Sequence, residues 1–430
     1  MKRISLSAAL LGLAGLFAMP GAATAHSLGA TTGPKASRIH GVVTGGAYAL
    51  YASMTAAGAT SITGPLGSVW NTCGAGNGRS ANSLAHARVP SVVNSGGAQD
   101  SVVTKRTASG RSVKAVSVIH HVKLLGGLVT ASEIRSVAHT KSAGGVISTS
   151  FNGTELANLT VNGTAVSTVT PNQRIDIANL GYVILDQQMV TKTRTGRQAT
   201  VIGIHLYVTT SNAKLGVNAG SQVIVALATT GFLRSHGNFV VGANSYGLYG
   251  YSTGSNATVF SGPIAYAVLS CVGGRSRVSA QRINDAALGS AGTVVDAVYG
   301  KVTAKKAGST AWSKIQNVNL MKGLVKARVI QVKTHVSLTK KAGKGYDKMT
   351  FTKLRVAGTK IPANVSPNTR VTLPGVGYAD INVRSKSVLK GTYSRLIDGI
   401  VIRVNRKNSF GLPVGAIIVV AHASAQAGPM

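Results

Sequence analysis

Several runs of this chain alternate apolar with polar residues, and turn residues interrupt the apolar runs about every ten positions. A period of two places successive side chains on opposite faces of a strand. With frequent Gly, Pro, Asn and Ser punctuation it predicts an all-β fold of sandwich or barrel type. In Leu159-Thr160-Val161-Asn162-Gly163-Thr164 the alternation runs into Asn-Gly, where both residues accept the positive φ of a type I′ hairpin turn. Arg174 to Ile177 and Arg370 to Leu373 alternate after Pro-Asn turns, and Val201 to Val208 and Ile400 to Val404 alternate around Gly203 and Gly399. Gln222 to Ala228 and Ile417 to Ala423 are more continuously apolar, as expected of central strands covered on both faces. Beyond the N-terminal segment, only Val278 to Leu288 suggests a helix.

These elements occur twice. Tyr48-Ala49-Leu50-Tyr51 returns as Tyr246-Gly247-Leu248-Tyr249, Gly64-Pro65 as Gly262-Pro263, and Leu124 to Val129 as Leu320 to Val325. Leu159 to Thr164 matches Leu354 to Thr359, Pro171-Asn172 matches Pro367-Asn368, and Gly181-Tyr182 matches Gly377-Tyr378. The offset stays between 195 and 198, which predicts two tandem homologous domains, 36–230 and 232–425, with Thr229 to Phe232 as the linker. The second copy replaces Asn162 by Ala357, so a II′-like or longer turn is expected there. Residues 426–430 read as a tail.

The N-terminus reads as a cleaved secretory signal: Lys2-Arg3, an uncharged run from Ile4 to Met19, and the small residues Ala23-Thr24-Ala25. The signal is then 1–25 and a short arm 26–35. The apolar run is short for an anchor, and no integral membrane span is expected after its removal. Charge sharpens the picture. There are 45 Lys plus Arg against 10 Asp plus Glu. Residues 36–230 carry 15 basic and 5 acidic side chains, and residues 232–425 carry 27 and 5. A net +22 against +10 on one scaffold makes the second copy the expected partner of polyanions.

The Tyr-x-Leu opening strand, single Cys, Leu-x-x-Gly-Leu-Val segment, Leu-x-Val-x-Gly-Thr hairpin, Pro-Asn, Gly375-Val376-Gly377-Tyr378 and closing apolar strand together resemble the choice-of-anchor P family. These are exported proteins of high-GC Gram-positive bacteria. The resemblance implies a surface or extracellular location and transfers no catalytic residue. The chain departs from the pattern at its end, where Ala423 to Met430 holds neither a sorting motif nor an apolar tail with a basic stop. Retention by charge, or release, is the expectation.

Candidate chemistry is sparse. Paired carboxylates for glycan hydrolysis are disfavoured by ten acids in all, with Glu133 and Asp176 unrepeated and Asp186 only near the place of Asp380. His40/His236 and His139/His335 recur, without metal-ligand spacing. His120 and His121 would face opposite sides of a strand. No phosphate-binding Gly loop or nucleophile elbow is present, so no cofactor is expected. Cys73 and Cys271 occupy equivalent places and could form a disulfide, remain two buried thiols, or pair between molecules. The remaining candidate is cationic. Lys326 and Arg328 alternate with Val325 and Ala327, and Lys353 and Arg355 with Leu354 and Val356. Lys340, Lys341, Lys344 and Lys348 are expected in a loop between them. Aromatic residues are few nearby, so an anionic cell-wall or surface polymer is expected rather than sequence-read nucleic acid. A secreted, non-enzymatic envelope protein is the leading expectation. An enzyme with an interdomain site and a purely structural surface protein are the alternatives.

Overall fold

The computed structural model describes residues 41–430 apart from 57–58, 75, 90–91, 108–109, 145, 194–195, 236, 253–258, 281–282, 286–287 and 390. The signal segment, the arm, His40 and His236 lie outside the described residues. Within them the chain is almost wholly antiparallel strand, with short 3-10 turns at Leu125–Gly127 and Met321–Gly323. It divides into two compact units whose main boundary falls after Ser235.

In the first unit one sheet runs Gln173–Ile177, Gly181–Thr193, Gly196–Val208, Gln222–Arg234, Gly41–Ala56 and Ala59–Leu66, in that spatial order. The second sheet is built on the long hairpin Gly110–Leu124 and Val129–Ala143, with Ala98–Arg106 and then Gly78–Leu84 beyond it. The two sheets face each other as a sandwich. Leu50, Ile119, Ile134, Val183, Ile204 and Val225 meet in one buried cluster. Polar links cross the same space: Ser117 Oγ donates to the Tyr48 carbonyl at 2.9 Å and Ser136 Oγ to the Ala226 carbonyl at 2.7 Å.

The second unit repeats this order. Thr369–Leu373, Gly377–Leu389, Thr392–Val404, Ala416–Pro429, Phe239–Ser252 and Val259–Ile264 form one sheet. Gly273–Ala280, Val294–Val302, Lys306–Leu320, Val325–Thr339 and Gly343–Thr352 form the other. Ser313 Oγ donates to the Tyr246 carbonyl, as Ser117 does to Tyr48. The closing strands are central, as their continuous apolar character predicts. Gln222–Arg234 lies between Gly196–Val208 and Gly41–Ala56, and every residue from Val223 to Phe232 is buried.

Several expectations are corrected. Thr229 to Phe232 is not a linker: it belongs to the Gln222–Arg234 strand, and Phe232 is buried in the core. Nor is 426–430 a tail. Ala416–Pro429 is one strand, and the Met430 N–H donates to the Asn238 carbonyl. The proposed helix at Val278 to Leu288 is instead the end of Gly273–Ala280 and the short strand Ile283–Asp285. In the second hairpin Ala357 (φ 48°) and Gly358 (φ 78°) are both left-handed, as are Asn162 (51°) and Gly163 (76°). Each pair joins two-residue-loop hairpins, Val356 opposite Thr359 and Val161 opposite Thr164. Ala357 therefore accepts the I′ geometry that the surrounding pairing demands.

A transverse seam crosses both units. His121, Asp186 and Ala226 have φ of 50°, 45° and 52°, and Asn317, Asn382 and Ala421 have 49°, 57° and 57°. Ladder pairing skips one rung at each. Ile381 pairs Ile400 and Val383 pairs Asp398, while Ile400 pairs Val420 and Asp398 pairs His422. Side-chain alternation reverses there: buried positions on Lys306–Leu320 are odd up to Ile315 and even from Val318. Asp186 thus corresponds to Asn382, not to Asp380, and both residue types tolerate left-handed backbone. The same kink breaks the expected opposition of His120 and His121, whose ring centroids lie 6.4 Å apart.

Candidate polyanion-binding face

The second unit's long hairpin sheet turns one face to the core and the other outward. Its inward positions are Ala307, Ala311, Ile315, Ile330, Val332 and Val336, all buried. Because the strands pair in register, the outward residues form cross-strand rows. One row runs Arg277, Ala297, Trp312, Lys333, Lys348. The next runs Arg275, Tyr299, Thr310, His335, Tyr346, and beyond it lie Lys301, Gly308, Ser337 and Lys344. Toward the other end, Asn319, Lys326, Arg355 and Lys360 share a row.

All eight cations singled out from the sequence are exposed: Lys326, Arg328, Lys340, Lys341, Lys344, Lys348, Lys353 and Arg355. They do not form one cluster. Lys326, Arg328, Lys353 and Arg355 lie at one end of the hairpin. Lys340 and Lys341 sit at its tip, roughly 40 Å away at about 3.3 Å per residue. Lys344 and Lys348 are not in a loop: they lie on the Gly343–Thr352 strand, opposite Ser337 and Lys333. Lys353 has φ 53° and forms a bend before the short strand Arg355–Val356 rather than sharing a strand with Arg355.

What fills the gap between the two ends was not legible from sequence. Lys333, Lys314, Lys301, Arg275 and Arg277 continue the charge, and Trp312, Tyr299 and Tyr346 stand among them. Tyr299 is 55% and Tyr346 47% exposed. The expectation of few aromatic neighbours is therefore corrected. These rings come from three strands far apart in the chain. The one local signal is that Trp312 occupies an outward position in an otherwise alternating strand. His335 holds Tyr346 in a tilted stack at 5.4 Å, and its Nδ1 lies 2.9 Å from Thr310 Oγ1. Burial, with Lys306 and Lys333 adding their charge, lowers the His335 pKa below the usual histidine value.

No carboxylate stands on this face among the described side chains. Three of the second unit's acids point elsewhere: Asp347 is held by Arg395 at 2.7 Å, Asp380 by Arg370 at 2.8 Å, and Asp398 lies 2.6 Å from His422. In the first unit the equivalent rows read Ser101, Val116, Val137 and Val103, Lys114, His139, Ser150. Valines thus stand where the second unit has Trp312 and Lys333. His139 and His335 are matching strand histidines, and among the described residues no three His, Cys, Asp or Glu side chains gather to hold a metal.

One repeated carboxylate escaped the sequence comparison. Asp100 and Asp296 are equivalent, 2% and 0% exposed, and lie across from Ser117 and Ser313. Burial pushes both carboxyls well above the usual range, opposed by Ser117 in one unit and by Ser313 and Ser245 in the other. None of their oxygens has a full hydrogen bond among the described residues. The Ser117 and Ser313 hydroxyls are donated instead to the Tyr48 and Tyr246 carbonyls. Each carboxyl sits inside the sandwich of its own unit. Cys73 and Cys271 are both disulfide-bonded, so neither is a buried thiol.

Among the described residues no helix is long and apolar enough to cross a membrane. Comparison with known proteins finds no family model and no curated protein that matches the chain.

Proposed function

We propose that this is a secreted, non-enzymatic protein of a bacterial cell envelope that holds an anionic surface polymer on the outward sheet of its second repeat. The observation that carries this reading is the row Lys326, Arg355, Lys360, in which three cations stand side by side. Like charges directly opposite one another destabilise a sheet. The first copy has the uncharged Thr130, Thr160 and Ala165 there, with the two threonine hydroxyls bonded at 2.7 Å. A sandwich can therefore be built without this repulsion, and a bound polyanion is what would offset it. The resemblance to choice-of-anchor P proteins, the N-terminal signal pattern and the charge excess support an exported location.

The test is retention of the full chain on an immobilised anionic polymer across a salt gradient. Contacts of this kind weaken steeply with salt, because screening shortens from about 8 Å at physiological ionic strength to about 3 Å at 1 M. Replacing Lys326, Arg355 and Lys360 by the first copy's Thr, Thr and Ala should lower the eluting salt clearly. The reciprocal control, Lys114→Thr with Lys141→Ser in the first unit, should change it little. Retention that survives 1 M salt, or that ignores the triple substitution, would contradict the reading.

A further inference from the structure

Resting on the polyanion reading, we propose that the ligand is an acidic polysaccharide, whose sugar rings lie on Trp312 and Tyr346 while its ring carboxylates reach Lys333, Lys344 and Lys348. Trp312 is directly across from Lys333, and Lys333 is directly across from Lys348. Tyr346 lies between Lys344 and Lys348 on the same face of one strand. Neighbours in such a lattice are about 4.8 Å apart across strands and about 6.7 Å apart along one. A uronic acid carries its carboxylate one bond from the ring, so ring contact and charge contact fall within that same spacing. A linear polyol phosphate has charge but no ring for an aromatic side chain to cover.

Three further observations favour a sugar. The row residue beside Trp312 on its other side is Ala297, too short to cover the indole. Thr310, Gln331, Ser337 and Thr350 lie outward in the rows that hold or flank the rings and lysines and offer donors and acceptors to ring hydroxyls. The rings are also absent from the first unit, where Val116 and Ser150 stand for Trp312 and Tyr346 while Lys114 and Lys141 keep two cations on the face. A ligand that needs charge alone would find it in both units, whereas one that needs rings beside the charge would find them only in the second. Single-stranded nucleic acid would also stack on such rings. Its bases, however, would leave the outward hydroxyls of Thr310, Ser337 and Thr350 few ring hydroxyls to meet.

The experiment measures binding of the full chain, at one ionic strength, to polygalacturonate, inorganic polyphosphate, single-stranded poly(dT) and neutral pullulan. Polygalacturonate should bind at least tenfold more tightly than polyphosphate per charge, and pullulan weakly. Trp312→Ala should erase that preference while leaving polyphosphate binding in place, and Trp312→Phe should restore much of it. Tyr346→Ser, at an exposed position that the first copy already fills with serine, repeats the test where folding is not at issue. Equal affinity for polygalacturonate and polyphosphate, tighter binding of poly(dT), or indifference to both aromatic substitutions would overturn the inference. In each of those cases the polyanion reading survives. Failure of every polyanion to bind would remove the proposed function itself.

Discussion

Lys326 stands directly across from Arg355 in the second repeat, where the first repeat joins Thr130 to Thr160 through their hydroxyls. Both pairs bridge the same two strands, and the residues beneath them, Val325 and Val356 or Val129 and Val161, are buried in both units. The packing side of the element is held constant while the solvent side has changed from a neutral hydrogen bond to facing cations. Surface charge and core packing are thus set on opposite faces of one strand.

That separation predicts that Lys326→Thr with Arg355→Thr makes the free protein slightly more stable. The gain should be about a few tenths of a kcal/mol, because both side chains are exposed and water screens them. Urea midpoints at low salt should show it, and the difference should shrink in 1 M salt.

Asp296→Asn should stabilise the protein at neutral pH by roughly 1.4 kcal/mol for each unit by which burial lifts the carboxyl pKa toward 7, because the amide never ionises. Burial raises the folded-state pKa of Asp296 above its ordinary value of 3.8. The carboxyl's contribution is therefore fully present below the unfolded pKa and is lost as pH rises through the folded one. The variant's advantage should consequently be small near pH 3 and grow as pH rises. Urea titrations at several pH values check this, and an advantage independent of pH would contradict it.

His205 works in the opposite direction. It is buried, with Nδ1 at 2.7 Å from Gln187 Oε1 and Nε2 at 3.3 Å from Gln222 Oε1, and burial lowers its pKa from 6.5 to about 4. The unfolded chain binds the proton first, so stability is lost as pH falls from about 6.5 to about 4, by at most about 3 kcal/mol. His205→Gln should flatten that part of the pH–stability curve, whatever it does to the neutral value.

Gly399→Ala should destabilise the second unit by about 1–3 kcal/mol, the scale of core overpacking. An added Cβ would stand 2.8 Å from Ile330 Cγ2 on the facing sheet and 2.9 Å from the Val420 carbonyl oxygen. Gly203→Ala should act alike in the first unit, where the added atom would run into Ile134 Cγ2 on the facing sheet. Thermal melting of the two variants tests both, and unchanged melting would mean that the sheets can separate at the seam.

Much of the fold could be read in advance because its causes are local. Alternation in Val201 to Val208, the Asn162-Gly163 turn and the apolar closing strands each follow from a few adjacent residues. The errors share one cause. Thr229 to Phe232 looks like a joint because two threonines and a glycine interrupt the apolar run, yet pairing with Gly41–Ala56 and Gly196–Val208 keeps those residues in strand. Ala357 looks unsuited to a I′ turn, yet its hairpin holds it there. Lys344 and Lys348 look like loop residues among glycines until the Val325–Thr339 strand supplies a partner.

Composition and short-range periodicity were enough for the all-β class, the repeat, the charge contrast between its halves and the outward side of each short alternating run. These depend on composition and on periods of a few residues, which the chain carries within itself. It takes strand pairing and sheet packing to bring Trp312, Lys333, Tyr346 and Lys348 onto one surface, to bury Asp100 and Asp296 as counterparts, and to reverse the alternation at His121, Asn317, Asp186 and Asn382. Register between strands far apart in the chain is fixed by how two sheets pack together. A single left-handed residue is enough to reverse every outward position that follows it.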